Sequence, residues 1–358
     1  MPSLKEIKGR INSISSTLAI TSAMKMVAAA KLQKAQMAIQ NMLPYERRLH
    51  SMLIDLMGAM NISAAASEDG SVRGSGSAER GFDQSGDRLS LSNRHDLAGM
   101  DGAYSLMAQR EVRKVAIVAF ASNSSLCGAF NSNVIREATA VINEYRASGL
   151  GDADITVYSV GRKMAEAMKK LGFPSPADFT KMSDSPSYDA ASALAQELLD
   201  GFVSGRFDKV ELVYNHYKST SSQPTTRQTY LPLSLADATA DLQAGKITDS
   251  ASKSDTNRGA EPVGAPVVRQ GSPTTEDLIV EPSKEDLIAT LLPKVIRLRI
   301  FTTLLDSAAA EHAARTVAMQ LATDNGNDLL QELTLEYNKG RQQKITSEIL
   351  DLVGGSMQ

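Results

Sequence analysis

Two long helices paired as an antiparallel coiled coil around an α/β domain is the architecture this sequence predicts, on three observations. Apolar residues recur at alternating spacings of three and four along the start of the chain. Helical spacing returns along its end. Between the two, short β-type runs alternate with helical ones.

The first stretch, 4–62, carries the clearest signal. Leu4, Ile7, Ile11, Ile14, Leu18, Thr21, Lys25, Ala28, Leu32, Ala35, Ile39 and Met42 form a seam of period 3.5 in which only Thr21 and Lys25 are polar. A heptad seam needs a partner helix to cover it. No glycine lies between Arg10 and Met57, and Pro44 is expected to kink the helix without ending it. Such a helix would run about 90 Å at 1.5 Å per residue, far beyond the usual length of about a dozen residues.

The last stretch mirrors it. After Pro282, Ser283 and Asp286 suggest a capping box, and Leu287, Leu291, Val295, Leu298 and Leu305 follow at helical spacing. An alanine-rich segment, Ala308 to Ala310, leads into Met319, Ala322, Leu329, Leu333 and Tyr337. Pro293 predicts a bend or a late start. Gly326 and Gly340 weaken the helix by about 1 kcal/mol each relative to alanine, and Gly354-Gly355 reads as the stop. Neither helix would be stable alone at full length, because tertiary packing supplies most helical stability.

Between the helices, strands are expected at 112–121, 155–160, 209–217 and 227–235, with a short one near 179–182. Helices are expected at 129–146, 162–171 and 188–203. This alternation predicts a mostly parallel, Rossmann-like sheet with helical cover, the last two strands closing as an antiparallel hairpin. Two stretches rich in Gly and Ser, 64–103 and 244–273, read as mobile surface insertions. The expected division is therefore an N-terminal helix at 1–62, an insert at 63–108, the α/β domain at 109–236, a linker at 237–283 and a C-terminal helix at 284–358.

Composition narrows the function. Apolar residues make up 42% of the 358 and charged residues 22%, so a core can be buried. A net charge of -3 argues against a nucleic-acid partner. The single cysteine, Cys127, cannot form an internal disulfide. The histidines, His50, His95, His216 and His312, show no metal-ligand spacing, so no metal is expected. The longest apolar run, 115–121, is far short of the roughly 20 residues a membrane span needs. The opening residues lack an apolar signal core and a transit segment, so the protein is expected to work where it is made. No phosphate loop, H-E-x-x-H, C-x-x-C or G-x-S-x-G occurs, and Gly74 and Gly76 have no strand before them. Neither a catalytic residue nor a cofactor is expected.

Three long segments resemble one family. Residues 20–32, ITSAMKMVAAAKL, resemble the N-terminal signature of ATP synthase gamma subunits. Residues 311–325, EHAARTVAMQLATDN, with 335–348, LEYNKGRQQKITSE, are similar to the C-terminal signature. Residues 122–131, SNSSLCGAFN, are similar to the segment after the first strand, departing at Asn123-Ser124-Ser125, where Asp-Arg-Gly is usual. That departure puts the family's polar contacts there in question. The resemblance implies a left-handed coiled coil lodged in a hexamer of alternating alpha and beta subunits, with the α/β domain beside the epsilon subunit and the ring of c subunits. It implies a rotor of a proton-translocating F-type ATP synthase that couples ring rotation to catalysis elsewhere. A bacterial member is the better reading, peripheral on the cytoplasmic face of the inner membrane and attached only through the complex.

The resemblance also assigns residues. Met24 and Lys25 would face a beta subunit, although a lysine here also snorkels readily from a coiled coil. Arg315, Gln342, Thr346 and Glu348 would bond to mobile beta-subunit loops; the plain alternative is a solvated helix face. Ile349, Leu350, Leu352 and Val353 would turn in an apolar collar, where non-directional contacts slide; the plain alternative is core. Two other classes stand against the shaft: a nucleotide-using enzyme built on the α/β core, and a self-associating coiled-coil scaffold.

Overall fold

The computed structural model describes residues 3–59, 106–107, 109–233 and 284–356. The two expected insertions, 64–103 and 244–273, lie outside the described residues. Helix α1 runs from Leu4 to Ala59 and helix α6 from Lys284 to Ser356. Between them stand β1 (Val115–Phe120), α2 (Phe130–Ala147), β2 (Ile155–Val160), α3 (Arg162–Lys170), α4 (Thr180–Asp184), α5 (Tyr188–Val203), β3 (Lys209–Asn215) and β4 (Thr225–Leu231).

The long helices pair antiparallel along the predicted seam. Leu4 lies against Gly340 and Leu18 against Gly326. Thr21 receives a hydrogen bond from Thr323 at 3.2 Å, and Glu46 one from Thr302 at 3.0 Å. Rising numbers on one helix thus meet falling numbers on the other. Every seam residue read from the sequence is buried or half-buried, including the polar pair Thr21 and Lys25. Ser3 starts α1, its hydroxyl accepting the Glu6 N–H at 3.3 Å.

Gly326 and Gly340 mark close approach. A Cβ on Gly326 would lie 2.6 Å from a methyl carbon of Leu18, and one on Gly340 3.2 Å from Leu4. The propensity lost by glycine is the cost of seating two leucines in a tight seam.

The sheet has the order β2-β1-β3-β4. β1 pairs parallel with β2 and β3, and β3 pairs antiparallel with β4, as the expected hairpin. β1, an unbroken apolar run, is buried on both faces. Val115, Ile117 and Ala119 face α2 and α3, packing with Val134, Ile142, Met164 and Met168. Ala116, Val118 and Phe120 face the other way, toward Leu194, Leu198 and Phe202 of α5, Ile288 and Leu292 of α6, and Leu53 and Leu56 of α1. The beginning of α6 and the end of α1 are therefore part of the domain's core, and only their remaining lengths form the free shaft.

Three expectations are corrected. Residues 179–182 are not a strand: α4 begins at Thr180, whose N–H is accepted by Asp178 at 2.9 Å, and buries Met182. A local side-chain-to-backbone bond and one buried side chain outweigh a four-residue β-type pattern. Pro293 does not delay the helix, which already runs from Lys284. Nor does Gly354-Gly355 end it; both stay helical and the end falls at Ser356, within the drift usual for helix termini.

Candidate functional site

Two surfaces of α6 carry the candidate side chains: its junction with the sheet and its far end. At the junction the loops leaving β1 and β3 lie against α6. Both leave from the C-terminal edge of the sheet, on either side of the point where the strand order reverses. That crevice is where open parallel sheets ordinarily take a ligand.

The β1 loop is held by many short bonds. Ser122 donates from its hydroxyl to the Ser124 carbonyl at 2.6 Å, and Asn131 donates to the same oxygen at 3.2 Å. Asn123 donates to the Thr180 carbonyl at 2.7 Å and accepts the Arg162 N–H at 2.8 Å. The stretch that departs from the family pattern thus builds its own polar contacts. Leu126 and Gly128 turn the loop with positive φ of 68° and 58°. Cys127 and Phe130 are buried against Ala310 of α6.

Arg315 joins this loop to the helix. Its guanidinium donates to Ser124 Oγ at 2.7 Å and to Glu311 Oε1, also at 2.7 Å, and its side chain is only 11% exposed. Burial raises the Glu311 carboxyl above the ordinary range despite Arg315 beside it. Burial, with Arg315 and Lys31 nearby, pushes His312 down to about 4, which keeps it neutral at neutral pH.

The β3 loop is held by Asp306. Its carboxylate meets His216 Nδ1 at 2.6 Å and accepts the Tyr217 N–H at 2.9 Å. Gln36 of α1 donates to the Tyr217 hydroxyl at 2.6 Å, so the hairpin loop touches both long helices. Asp306 raises the His216 pKa, outweighing burial and nearby Lys218. A raised histidine contributes stability that is fully present below its unfolded value of about 6.5 and lost as pH rises through the folded value. The Asp306→Asn substitution is expected to return the His216 titration midpoint toward about 6.5 and to weaken protection of the Tyr217 amide. Proton NMR titration with amide exchange checks both.

A cavity of about 600 Å³ adjoins this loop, between Met42, His50, His216 and Arg299. Its carboxylates, Glu46 and Asp306, already accept bonds from Thr302, His216 and Tyr217. Among the described residues no cluster of His, Cys, Asp and Glu is set to hold a metal ion.

The other sequence-assigned residues divide by position. Met24 and Lys25 are half-buried at the seam, and the Lys25 ammonium donates to Gln320 of α6. Gln342, Thr346 and Glu348 are exposed. The Thr346 hydroxyl donates to the Gln342 carbonyl, and Glu348 lies 3.7 Å from Lys344. Ile349, Leu350, Leu352 and Val353 are 50–74% exposed and lie beyond the start of α1, where Leu4 stands opposite Gly340. Sequence reasoning missed Ser124, Asp306, His216 and Tyr217, whose partners lie 89 to 191 residues away and leave no local pattern.

A two-helix shaft mounted in the ligand crevice of its own α/β domain, with an exposed apolar end, defines a mechanical part of an assembly. A family model described as ATP synthase matches residues 3–357. The chain belongs to the family of ATP synthase gamma chains, the central rotor shafts of these machines. It is 47% identical over 357 residues to the ATP synthase gamma chain of Phocaeicola vulgatus and 46% identical over 358 to that of Bacteroides thetaiotaomicron, covering 100% of both chains in each case. The gamma chain of Flavobacterium psychrophilum is 35% identical over 356 residues, with 99% of this chain and 98% of the other covered. Among solved structures, a chain of the Euglena gracilis mitochondrial ATP synthase (OSCP, F1 and c-ring) has a TM-score of 0.52 at 19% identity, covering 99% of this chain and 93% of that one. That likeness speaks for the fold alone.

Proposed function

We propose that this chain turns as one stiff body inside a hexamer of alternating alpha and beta subunits and carries rotation between their catalytic sites and a ring of c subunits. The observation that carries the reading is α6 itself. Its 73 residues run unbroken, about 110 Å, from Ile288 and Leu292 in the domain core to an apolar end exposed to solvent. A single hydrogen-bonded element over that distance can transmit twist, and the second helix packed along it resists bending. Its exposed apolar end suits a collar in which it slides, because apolar contacts have no preferred angle.

In this reading the chain is not itself a catalyst, and its α/β domain stands by the epsilon subunit and the ring. Proton flow turns the ring and shaft, and the shaft's asymmetry drives each beta site in turn. Gln342, Thr346 and Glu348, exposed near the tip, are the polar contacts expected to form and break against beta-subunit loops, with Met24 and Lys25 lower on the seam. No described helix is long and apolar enough to cross a membrane, which accords with attachment through partners on the cytoplasmic face of a bacterial inner membrane. The proposed division keeps 63–108 and 237–283 as inserts between the two shaft helices and the domain.

The test is reconstitution of the purified chain with matched alpha and beta subunits. One copy per hexamer, with ATP hydrolysis restored, is the expected result. If competent subunits assemble and turn over identically without it, the shaft reading fails and a free-standing scaffold takes its place.

A further inference from the structure

The rotor reading requires that torque cross from the sheet domain to the shaft, and the geometry points to where it crosses. We propose that Arg315 and Asp306 are positioning residues that lock α6 between the loops after β1 and β3. The inference rests on the rotor reading and adds its torque-bearing contact.

Asp306 and Arg315 are nine positions apart, about two and a half turns, so they leave α6 on roughly opposite sides. Each reaches a different loop: Arg315 bonds Ser124 after β1, and Asp306 bonds His216 and the Tyr217 N–H after β3. The helix therefore lies between two jaws. The jaws are tied to each other, since Asn215 at the end of β3 donates to the Phe130 carbonyl at 3.1 Å. Between the two clamp residues, Ala310 is fully buried against Cys127 and Phe130, which lets the β1 loop approach the helix closely, while Ala309 and Ala313 are buried beside Leu32 of α1 and Tyr217.

The physical need is specific. A helix held only by apolar packing can roll, because that attraction has no preferred angle. Charge-assisted hydrogen bonds are directional and about twice as strong as neutral ones. Placed on opposite sides, they oppose rolling in either sense. The same packing fills the crevice where an open sheet would otherwise take a nucleotide, so one feature argues for the clamp and against the enzyme alternative.

The experiment uses the complete complex in sealed vesicles and reads two quantities: ATP hydrolysis and protons pumped per ATP. Variants are Arg315→Gln, Ser124→Ala, Asp306→Asn and the Arg315→Gln/Ser124→Ala pair. Loss of one such charge-assisted hydrogen bond, about 2 kcal/mol, lets a jaw open about thirtyfold more often. The expected result is normal incorporation, retained hydrolysis and fewer protons per ATP. The Arg315→Gln/Ser124→Ala pair should be no worse than Arg315→Gln alone.

Rescue supplies a second arm. A Cβ on Gly128 would stand 3.8 Å from that of Ala318, within disulfide range, although the φ of 58° at Gly128 adds strain. Oxidising a Gly128→Cys/Ala318→Cys pair in the Ser124→Ala background should restore the pumping ratio, and reductant should abolish the gain. Hydrolysis and pumping falling together at an unchanged ratio would overturn the clamp, leaving these bonds a structural role only. Fully additive losses from Arg315→Gln and Ser124→Ala would also overturn it, because Arg315 would then not act through Ser124. Failure of the unmodified chain to incorporate would count against the rotor reading and not against the clamp alone.

Discussion

The Glu211→Gln variant is expected to unfold with about 3 kcal/mol less stability, the scale of breaking a buried ion pair from one side. Glu211 sits on β3 with its side chain 2% exposed, yet its carboxylate is fully engaged. Oε1 accepts the Tyr145 hydroxyl at 2.7 Å, the Lys209 ammonium at 2.7 Å and Arg227 Nη2 at 3.1 Å, while Oε2 accepts Arg227 Nε at 2.7 Å. Arg227 also bonds Glu144 on α2. One carboxylate thus ties α2, β3 and β4 together across the sheet face.

Burial alone would raise the Glu211 pKa, but bonds from Arg227, Lys209 and Tyr145 outweigh it and hold the carboxyl below its ordinary value. The sign for stability follows. A lowered carboxylate contributes above its unfolded value and loses that contribution as pH falls through the folded value. Glutamine keeps the shape and removes the charge, leaving two cations short of a partner. Both cations are about a quarter exposed, at 26% and 27%, so water recovers part of the loss and the cost stays near the low end of the buried-pair range. Urea denaturation followed by tyrosine fluorescence, with no tryptophan to obscure it, measures the change. A shift within about 0.5 kcal/mol, the scale of surface substitutions, would sink the argument.

The sequence spoke clearly where one element's own period decides its structure. The heptad seam from Leu4 to Met42 and the apolar run of β1 reappear as buried faces, because a face needing cover shows in the spacing of its own residues. It was silent where a residue's meaning depends on a partner far along the chain. Gly326 reads as a weak point in an isolated helix and becomes a fitted gap only once Leu18 lies against it. Arg315 reads as an outward polar residue, while in the fold its guanidinium is committed to Ser124, 191 positions away. The 179–182 segment failed for the opposite reason, since four residues are too few for either period to show. The exposed end at Ile349, Leu350, Leu352 and Val353 was legible as apolar, but only the structure shows that it extends past the start of α1.

Leu53→Ala is expected to cost about 2–5 kcal/mol, the range for deleting a buried leucine's side chain beyond Cβ. Leu53 is fully buried and packs in the core formed by the sheet face, α5 and the start of α6. It lies nine residues past Pro44, on the same helix whose first forty residues form the shaft seam. A leucine at this site therefore anchors the shaft in the domain, whereas one such as Leu18 packs shaft helix against shaft helix. The two positions should separate in experiment. Leu53→Ala should loosen amide protection in β1 and α5 together with α1, because one cavity opens under all three. Leu18→Ala, half-buried in the seam, should cost less and leave β1 protected. Hydrogen exchange on the isolated chain reads both variants. Equal loss of β1 protection in the two would mean that shaft and domain unfold as a single unit, and that the anchor at Leu53 has no separate existence.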